Sequence, residues 1–355
     1  MFDEPGLERK GETMTWKDKN VLITGATHFI SGHLAEKLVM LDSNVKAFIR
    51  YDYQNDWGSL DRLPAYVKNK IEVLPGSLTN PDAIDYAVEN TDVVFHFGVL
   101  DMFPLHTNVR EYLEKTIIGT FNVLNAVKKY DVQKLVHIST SEVYGKVQEI
   151  PINEKYPLKA QSPHISSDIG AEKLVEGYYL SHNLPAAIVR LFNTYGPIQS
   201  RDAIIPTIIA QGLAEPKLLL GNMHSIRDFI YVEDVVEGLL KAAEIPESVG
   251  EAINLGSGQG ISIGDLADKI VKLMGRDIEI LFDAMRIRLQ DHGIEQLVAD
   301  ITKANKLLSW QPKTSLDDGL KRTIEWFAKH TNSNLIFRRT GNYDNITKSS
   351  YPCRW

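Results

Sequence analysis

The chain has 355 residues, of which 43% are hydrophobic and 24% are charged, which is the composition of a globular protein rather than a disordered one. The formal net charge is -7 with Lys and Arg scattered along the chain, which argues against the basic surface that nucleic-acid binding needs. The one cysteine, Cys353, excludes an internal disulfide and a thiolate zinc cluster, and no apolar run is long enough to span a bilayer. We therefore expect a soluble, cytoplasmic protein that binds neither nucleic acid nor membrane.

Short β-branched runs alternate with amphipathic stretches of helical length in the first half of the chain. The runs are NVLIT, VKAFI, IEVLPG, DVVFHFG and KLVHIS, and the stretches between them include FISGHLAEKLVMLD, DAIDYAVEN and GTFNVLNAVKKYD. This alternation predicts βαβ units, whose strands form a parallel sheet with helices on its faces. The predicted fold class is therefore α/β, a Rossmann-like doubly wound parallel sheet.

The second half of the chain predicts a smaller, mostly helical cap over the edge of this sheet. Helical periodicity appears in IIPTIIAQGLAE, VEDVVEGLLKAAE, ISIGDLADKIVKLMG and SLDDGLKRTIEWFAKH, which Gly-rich and Pro-rich joints separate. The predicted divisions are a flexible tail at 1–16, a Rossmann-like core at 17–190, a cap mixed with returning core segments at 191–330, and a C-terminal tail of unknown role at 331–355.

The segment KNVLITGATHFISGHLAEKL predicts a strand, a Gly-containing turn and the start of a helix, which is the context of a dinucleotide fingerprint. It resembles the TGxxGxxG turn of extended short-chain dehydrogenases/reductases, and the resemblance continues through DVVFHFG, HISTSEVYG, SPHISSDIGAEKLVEGYY, VRLFNTYGP, AIIPTII, IRDFIYVEDVVEG and INLGSG. The chain looks most like sugar-nucleotide 4,6-dehydratases and decarboxylases, including the UDP-N-acetylglucosamine 4,6-dehydratases of legionaminic acid type. The resemblance implies a nucleotide-sugar substrate, an NAD(P) cofactor, a substrate-binding cap, and a homodimer paired through helices near 108–129 and 166–182.

The cofactor turn departs from this family pattern. Gly25 keeps the first glycine position, but His28 stands at the second and Ser31 at the third. Because the second glycine lets the backbone approach the pyrophosphate, an imidazole competes for the same space. Arg50 replaces the acidic ribose ligand of NAD-preferring members and suits a 2'-phosphate instead. Each substitution alone fits neutral variation in a site of low sequence constraint, but together they indicate a lost or remodelled dinucleotide pocket. The candidate cofactor residues are Gly25, Thr27, His28, Phe29, Ile30 and Arg50.

A second candidate site lies at the end of a predicted strand, where Thr140, Ser141 and Glu142 follow one another. Open α/β folds bind ligands at this carboxyl edge of the sheet. The resemblance implies that the triplet supplies a hydroxyl group that bonds the substrate and a carboxylate that moves the C5 proton. Glu142 is therefore a candidate acid/base, and its alternative role is to cap the following loop.

The YxxxK motif of the resembled enzymes is absent. In those enzymes a tyrosinate removes a sugar hydroxyl proton, while the lysine lowers the tyrosine pKa and holds the nicotinamide ribose. Here His164 stands for the tyrosine and Asp168 for the lysine, so a tyrosinate loses its supporting cation. An imidazole with a carboxylate four residues on, on the same helix face, is a reasonable proton acceptor.

Together with Glu142, His164 and Asp168 can divide acid and base work without a hydride step. Two alternatives stay open. The two residues are polar replacements in a dead site, or they form a His-x-x-x-Asp metal site with Glu142, which lacks a well-spaced third ligand. We predict no metal.

The substrate side keeps more of the family's chemistry. The resemblance implies that Asn193 touches the sugar-nucleotide diphosphate, that the segment around Ile205 lies along the nucleobase, and that Arg227 and Arg288 reach the ribose and pyrophosphate. A guanidinium group suits phosphate because it donates two parallel hydrogen bonds. The alternative is that each arginine belongs to a surface ion pair.

Three functions follow from these observations. The main prediction is an enzyme that acts on a nucleotide sugar or related polar substrate by proton transfer, such as elimination, hydrolysis or isomerisation, without ordinary NAD hydride cycling. The second is a non-catalytic nucleotide-sugar-binding pseudoenzyme or dimer partner. The third is an NAD(P)-dependent 4,6-dehydratase or epimerase that uses His164 as its base. The fold alone does not decide among them.

Overall fold

The computed structural model describes residues 14–50, 57–98, 108–283 and 295–330. Their strands are β1 (Asn20–Thr24), β2 (Asn44–Arg50), β3 (Ile71–Gly76), β4 (Val93–His96), β5 (Lys134–Thr140), β6 (Ala186–Leu191), β7 (Asn193–Tyr195), β8 (Lys217–Leu220), β9 (Ile226–Tyr231), β10 (Ala252–Leu255), β11 (Gly260–Ser262), β12 (Glu279–Phe282) and β13 (Gln296–Leu297).

The helices of the same ranges are α1 (Phe29–Met40), α2 (Ala65–Lys68), α3 (Pro81–Val88), α4 (Val109–Leu113), α5 (Gly119–Lys129), α6 (Pro163–His182), α7 (Ile204–Ala214), α8 (Val232–Glu244), α9 (Ile263–Met274), α10 (Thr302–Leu308) and α11 (Leu316–His330). A π-helical turn, Glu114–Ile118, joins α4 to α5. Short 3-10 helices span Gly58–Arg62, Ser141–Tyr144 and Pro246–Ser248. In the described part of the chain, no helix combines the length and the apolar character needed to cross a membrane.

The predicted parallel sheet is confirmed. Seven strands pair in parallel in the order β10-β6-β5-β4-β1-β2-β3. The chain extends the sheet outward from β1 to β3 on one side and from β4 to β6 on the other. The boundary between β1 and β4 is therefore the topological switch point, where open α/β sheets bind their ligands.

Strand β1 shows why the sheet is buried on both faces. Successive side chains of a strand point to opposite faces, and Val21, Leu22 and Ile23 are all fully buried. Val21 and Ile23 belong to a core shared with α1 and α8, while Leu22 belongs to a second core shared with α3 and α5. Continuous apolar runs such as NVLIT are the mark of strands covered by helices on both sides.

The residues after 190 form short strands as well as the predicted helices. Strand β9 pairs with β7, β11 and β13, and a separate parallel pair joins β8 to β12. Strands of two to six residues are too short to show a clear period of two in the sequence, which is why only the helices were visible there. From the same part of the chain, β10 pairs with β6 at the edge of the main sheet, and α8 packs against α1.

Trp16 falls within the predicted N-terminal tail, but its side chain is buried in the core. Its indole Nε1 donates a hydrogen bond to Glu244 Oε1 at 2.6 Å, and its ring stacks on that of Phe95. Its carbonyl oxygen accepts a hydrogen bond from Ser43 Oγ at 2.7 Å. The packed part of the chain thus begins before residue 17.

A buried ion pair ties α6 to the sheet. Arg190 Nη2 on β6 lies 2.7 Å from Glu172 Oε2 on α6, and the two side chains are 7% and 2% exposed. Arg190 Nε donates a further hydrogen bond to Glu172 Oε1 at 3.0 Å, and Ser139 Oγ on β5 donates to the same oxygen at 2.6 Å. The pair therefore fixes α6 against the strand that leads into residues 140–142.

We expect Arg190→Met to lower the free energy of unfolding by about 3–5 kcal/mol, because it leaves the Glu172 carboxylate buried without its cation. Chemical denaturation followed by circular dichroism measures this change. Glu176→Gln, which breaks the exposed Lys173–Glu176 pair on the same helix, is the control and should have little effect. Equal unfolding curves for the two variants would show that the buried pair does not hold α6.

Candidate active site

The turn after β1 meets the end of β4 at the switch point. Gly25 has a φ of +66°, and a Cβ atom there would lie 2.9 Å from the carbonyl oxygen of Gly98. Only glycine combines this left-handed conformation with so close an approach of two backbones. Gly25 thus holds the position that the first glycine of a dinucleotide turn needs.

His28 caps the first turn of α1 with its own side chain. The imidazole Nδ1 accepts a hydrogen bond from the backbone N–H of Ile30 at 3.3 Å. Ser31 Oγ donates to the carbonyl oxygens of His28 at 2.7 Å and Gly25 at 3.0 Å. The N-terminus of a helix ordinarily offers such N–H groups to an anion, and here one of them has an internal partner.

The 3-10 helix Gly58–Arg62 also binds this turn. Ser59 donates from its backbone N–H to Thr27 O at 3.0 Å and from Oγ to His28 O at 2.7 Å. Gly58 has a φ of +61°, and a Cβ atom there would meet Thr27 O at 2.5 Å. Sequence reasoning missed this contact, because residues 57–62 are joined to the turn only by the tertiary fold.

The other candidate cofactor residues lie around the same edge. Phe29 and Ile30 are buried, with 7% and 4% exposure, in the core beneath α1. Arg50 is the exposed last residue of β2 and pairs in register with Gly76 of β3. The six predicted cofactor residues are therefore near one sheet edge, although two of them contribute side chains to the core.

Thr140 is the last residue of β5, and Ser141 and Glu142 begin the 3-10 helix that follows it. Thr140 Oγ1 accepts a hydrogen bond from the backbone N–H of Glu142 at 3.2 Å, so Thr140 is the residue that caps the following 3-10 helix. Ser141 is buried, and Glu142 is exposed. The Glu142 carboxylate thus lies at the carboxyl edge of the sheet, and its role as an acid or base stays a prediction.

Helix α6 carries His164 and Asp168 in its first two turns. Ser162 caps the helix by accepting a hydrogen bond from the N–H of Ile165 at 3.3 Å. His164 is buried, whereas Asp168 is partly buried. The expected orientation of His164 by Asp168 stays a prediction, because the hydrogen bonds described for the Asp168 carboxylate come from a residue of another helix.

That residue is Tyr112 of α4, which sequence reasoning missed. The Tyr112 hydroxyl donates to Asp168 Oδ1 at 3.0 Å and Oδ2 at 3.3 Å. The Tyr112 ring also packs edge-on against the His164 imidazole, with 4.7 Å between ring centroids. Tyr112, His164 and Asp168 thus form one cluster, which we call the acid cluster. The sequence held no local signal for this contact, because Tyr112 and Asp168 are 56 residues apart.

The surroundings favour the protonated forms of two members of the acid cluster. The pKa of Asp168 is raised to about 7, mainly by burial; the Tyr112 hydrogen bond opposes this rise, and the Glu142 and Glu172 carboxylates add to it. The pKa of Tyr112 is raised well above its ordinary range, mainly because the phenol is buried and secondly because the Asp168 carboxylate is close to it. Near neutral pH the phenol therefore keeps its proton, and Asp168 is divided between its acid and its carboxylate.

A cavity of about 20 Å³ lies beside Asp168, which is about the space that one water molecule needs. Its polar lining consists of Thr116, Thr120, His137, Ser139, Thr140 and Asp168, next to Phe97, Gly98, Ile138 and Ala171. His137 Nδ1 is buried without a hydrogen-bond partner in the described structure. Burial lowers the pKa of His137 to about 4, so its imidazole is neutral near pH 7.

The predicted substrate residues lie in the second half of the fold. Asn193 begins β7 and is partly exposed, and Ile205 is 1% exposed in α7. Arg227 of β9 donates from Nη1 to Ile226 O at 3.0 Å. Arg288 lies outside the described residues, and the roles of all four stay predictions. Among the described residues, no group of three His, Cys, Asp or Glu side chains is arranged to hold a metal ion.

Comparisons with known proteins agree with this architecture. Residues 22–323 match the family model described as GDP-mannose 4,6 dehydratase. The chain is 31% identical over 326 residues to the Arabidopsis thaliana trifunctional UDP-glucose 4,6-dehydratase/UDP-4-keto-6-deoxy-D-glucose 3,5-epimerase/UDP-4-keto-L-rhamnose-reductase. That match covers 89% of this chain and 48% of the plant protein, so the chain spans about half of that relative's length.

Two shorter relatives match along nearly their whole length. The UDP-N-acetyl-alpha-D-glucosaminuronate decarboxylase of Bacillus cytotoxicus is 32% identical over 329 residues, which cover 88% of this chain and 99% of the relative. The structure of dTDP-glucose 4,6-dehydratase from Bacillus anthracis in complex with NAD is 25% identical, with a TM-score of 0.76 over 88% of this chain and 97% of that one. The chain therefore belongs to the GDP-mannose 4,6-dehydratase family of sugar-nucleotide dehydratases and epimerases, within the extended short-chain dehydrogenase/reductase superfamily.

Proposed function

We propose that this protein binds a nucleotide sugar and transfers protons on it without hydride exchange through a nicotinamide. One observation carries the proposal: Tyr112 contacts both His164 and Asp168, the two residues that we assign from the sequence to the tyrosine and lysine positions of YxxxK. A carboxyl group with a pKa near 7 gives and takes protons readily at neutral pH. It cannot replace a lysine that supports a tyrosinate.

The cofactor turn supports the same proposal. A dinucleotide bound as in the resembled enzymes places its pyrophosphate on the N–H groups at the start of α1. His28 caps the N–H of Ile30, and Ser59 engages the carbonyls of Thr27 and His28 from the other side. The residues present do not fit a dinucleotide bound in that manner, so we derive no step through it.

The two carboxyl groups of the site have different environments, which divides their roles. Glu142, exposed at the sheet edge, and His164, in the acid cluster, serve as the proton acceptors. Asp168 is partly buried beside Tyr112 and serves as the proton donor. Pairs of titratable groups whose surroundings separate their pKa values are the usual arrangement for acid and base catalysis.

The substrate class rests on the family and on the second half of the fold. The names of the relatives specify UDP-linked and dTDP-linked sugars. Asn193 and Arg227 are the described residues that we assign to the diphosphate and ribose, since amide and guanidinium groups donate hydrogen bonds to phosphate oxygens. UDP-linked sugars are the first to test, because two relatives of more than 30% identity carry UDP in their names.

The direct test is to denature the purified protein and identify the released molecules by mass spectrometry, alongside calorimetric titration with UDP-glucose and NAD. We expect binding of the UDP-sugar and no equivalent of NAD(H) or NADP(H). Stoichiometric release of either dinucleotide would overturn the proposal in favour of a 4,6-dehydratase or epimerase. Binding of UDP-sugars without conversion of any would identify a non-catalytic binder.

We expect His164→Ala to reduce kcat by about 10²–10⁴-fold, the usual contribution of a general acid or base, while nucleotide binding stays nearly intact. Single-turnover measurements and calorimetry separate these two effects. His182→Ala, at the exposed end of the same helix, is the matched control and should leave both unchanged. Unchanged turnover in His164→Ala would remove His164 from the mechanism.

We expect His28→Gly to raise the affinity for NAD by about tenfold or more, because a hydrogen bond to a charged group contributes about 1.5–3 kcal/mol and the Ile30 N–H becomes available. Titration calorimetry with NAD measures the change, and His224→Gly in an exposed loop is the control. An unchanged affinity would mean that other groups, such as Gly58 and Ser59, already close the pocket.

A further inference from the structure

Proton removal from carbon sets a condition on the substrate. The electron pair left on carbon needs an acceptor, and a carbonyl group next to that carbon is the acceptor that sugars offer. A sugar with only hydroxyl groups has no such acceptor until one of its carbinols is oxidised. Without hydride exchange in this protein, that oxidation must happen before the substrate arrives.

We propose that the substrate is a keto sugar nucleotide, and that Tyr112 and Asp168 form the acid pair that binds its carbonyl oxygen. This inference rests on the proposed function, which it deepens by naming the substrate class and a further catalytic residue, Tyr112.

The geometry places the pair at the ligand-binding edge of the sheet. Tyr112 from α4 and Asp168 from α6 are both partly exposed, so a ligand can reach them. Asp168 lines the cavity together with Thr140 and Gly98, which end β5 and follow β4. Glu142 lies two residues beyond Thr140, at the same edge. Its carboxylate is near enough for its charge to raise the pKa of both Tyr112 and Asp168, so the acid pair and the base lie in one region on different elements.

The protonation states decide what the pair can do. The raised pKa of Tyr112 keeps its hydroxyl proton, and the protonated fraction of Asp168 adds a second O–H donor. Two O–H donors cannot begin a reaction by removing a proton from a sugar hydroxyl. They can donate hydrogen bonds to a carbonyl oxygen as negative charge develops on it, and a tyrosine beside a protonated aspartic acid is a known arrangement for stabilising an enolate.

The step balances without an oxidant or reductant. The Glu142 carboxylate takes the proton from the carbon next to the carbonyl, and the C–H electron pair forms a C=C bond. The C=O π pair moves to oxygen, which receives a proton or hydrogen bond from the Tyr112–Asp168 pair. In both outcomes the enol returns its O–H proton to the pair as the C=O bond re-forms. An epimer results when a water molecule supplies the new C–H proton on the other face of the carbon and Glu142 releases its proton to solvent. An unsaturated ketone results when the β-hydroxyl group leaves as water with the proton held by Glu142.

This chemistry fixes a place in a reaction sequence. The reaction that supplies the substrate is an oxidation of a nucleotide-linked sugar at a ring carbinol, with or without loss of water. The product keeps its carbonyl group, so the reaction that consumes it is a carbonyl reduction or an amine transfer.

The pH dependence follows from the charged groups around Asp168. Four single titratable groups lie on α6 or on elements packed near it, namely Tyr112, Glu142, His137 and His164. Two ion pairs complete the set, Glu172–Arg190 and Glu111–Lys115. The protonated Asp168 is the donor, so kcat should fall as the pH rises through about 7. The Tyr112 hydrogen bond lowers the pKa of Asp168, so its removal should move this limb to higher pH.

The first experiment incubates the full chain with UDP-4-keto-6-deoxy-D-glucose or UDP-glucose in D2O and follows deuterium incorporation by NMR and mass spectrometry. We expect exchange at a carbon next to the carbonyl of the keto sugar, above the rate without protein, and none in UDP-glucose. Binding of the keto sugar without exchange overturns the inference. Conversion of UDP-glucose without any dinucleotide also overturns it.

We expect Tyr112→Phe to lower the exchange rate by about 10²-fold or more, to leave the Kd for the keto sugar within about twofold, and to move the falling pH limb upward. Asp168→Asn keeps a donor that does not titrate, so this limb should disappear. Tyr66→Phe, at an exposed tyrosine of α2, is the control. An unchanged rate and pH profile in Tyr112→Phe would remove Tyr112 from the acid pair.

These outcomes distinguish a failure of the keto-substrate inference from a failure of the proposed function. Failure of both UDP-sugars to bind, or release of stoichiometric NAD(H) or NADP(H), overturns the proposed function. Binding of UDP-sugars without dinucleotide, combined with a failed exchange experiment, overturns only the keto-substrate inference.

Discussion

The buried Arg190–Glu172 pair is the interaction on which the site depends. It joins β6 to α6 out of contact with solvent, and Ser139 draws β5 into the same contact. Because two desolvated charges tolerate little displacement, the helix that carries His164 and Asp168 has one position relative to the strand that ends at Thr140. This attachment therefore positions the two α6 members of the acid cluster relative to Thr140.

The turn after β1 and the start of α6, both at the carboxyl edge of the sheet, use their polar groups differently. At the first glycine turn, hydrogen-bonding capacity is used internally, since His28, Ser31 and Ser59 bind backbone groups of the turn. At α6, polar groups gather around a cavity that other side chains leave open. The first arrangement uses its hydrogen-bonding groups within the turn, and the second leaves a cavity of about 20 Å³ beside Asp168.

Much of the fold followed from the sequence because short β-branched apolar runs such as NVLIT and KLVHIS, alternating with amphipathic stretches, are typical of strands covered on both faces. The departures at His28, His164 and Asp168 were equally visible, since a glycine turn and a YxxxK spacing are local patterns. Tyr112 was not visible, because its partner Asp168 lies 56 residues away and only the packing of α4 on α6 joins them. The short strands β7 to β13 were missed because two to six residues carry too little periodicity.

Tyr112 reaches the site from a different helix than the one that carries His164 and Asp168. A search that requires tyrosine and its partner on a single helix, four residues apart, would class this chain as inactive. A three-dimensional comparison, in contrast to a search for a sequence motif, finds the phenolic oxygen of Tyr112 beside α6. Other family members without YxxxK can be screened in the same way, by asking which neighbouring helix brings an aromatic hydroxyl group to the first two turns of the helix that corresponds to α6.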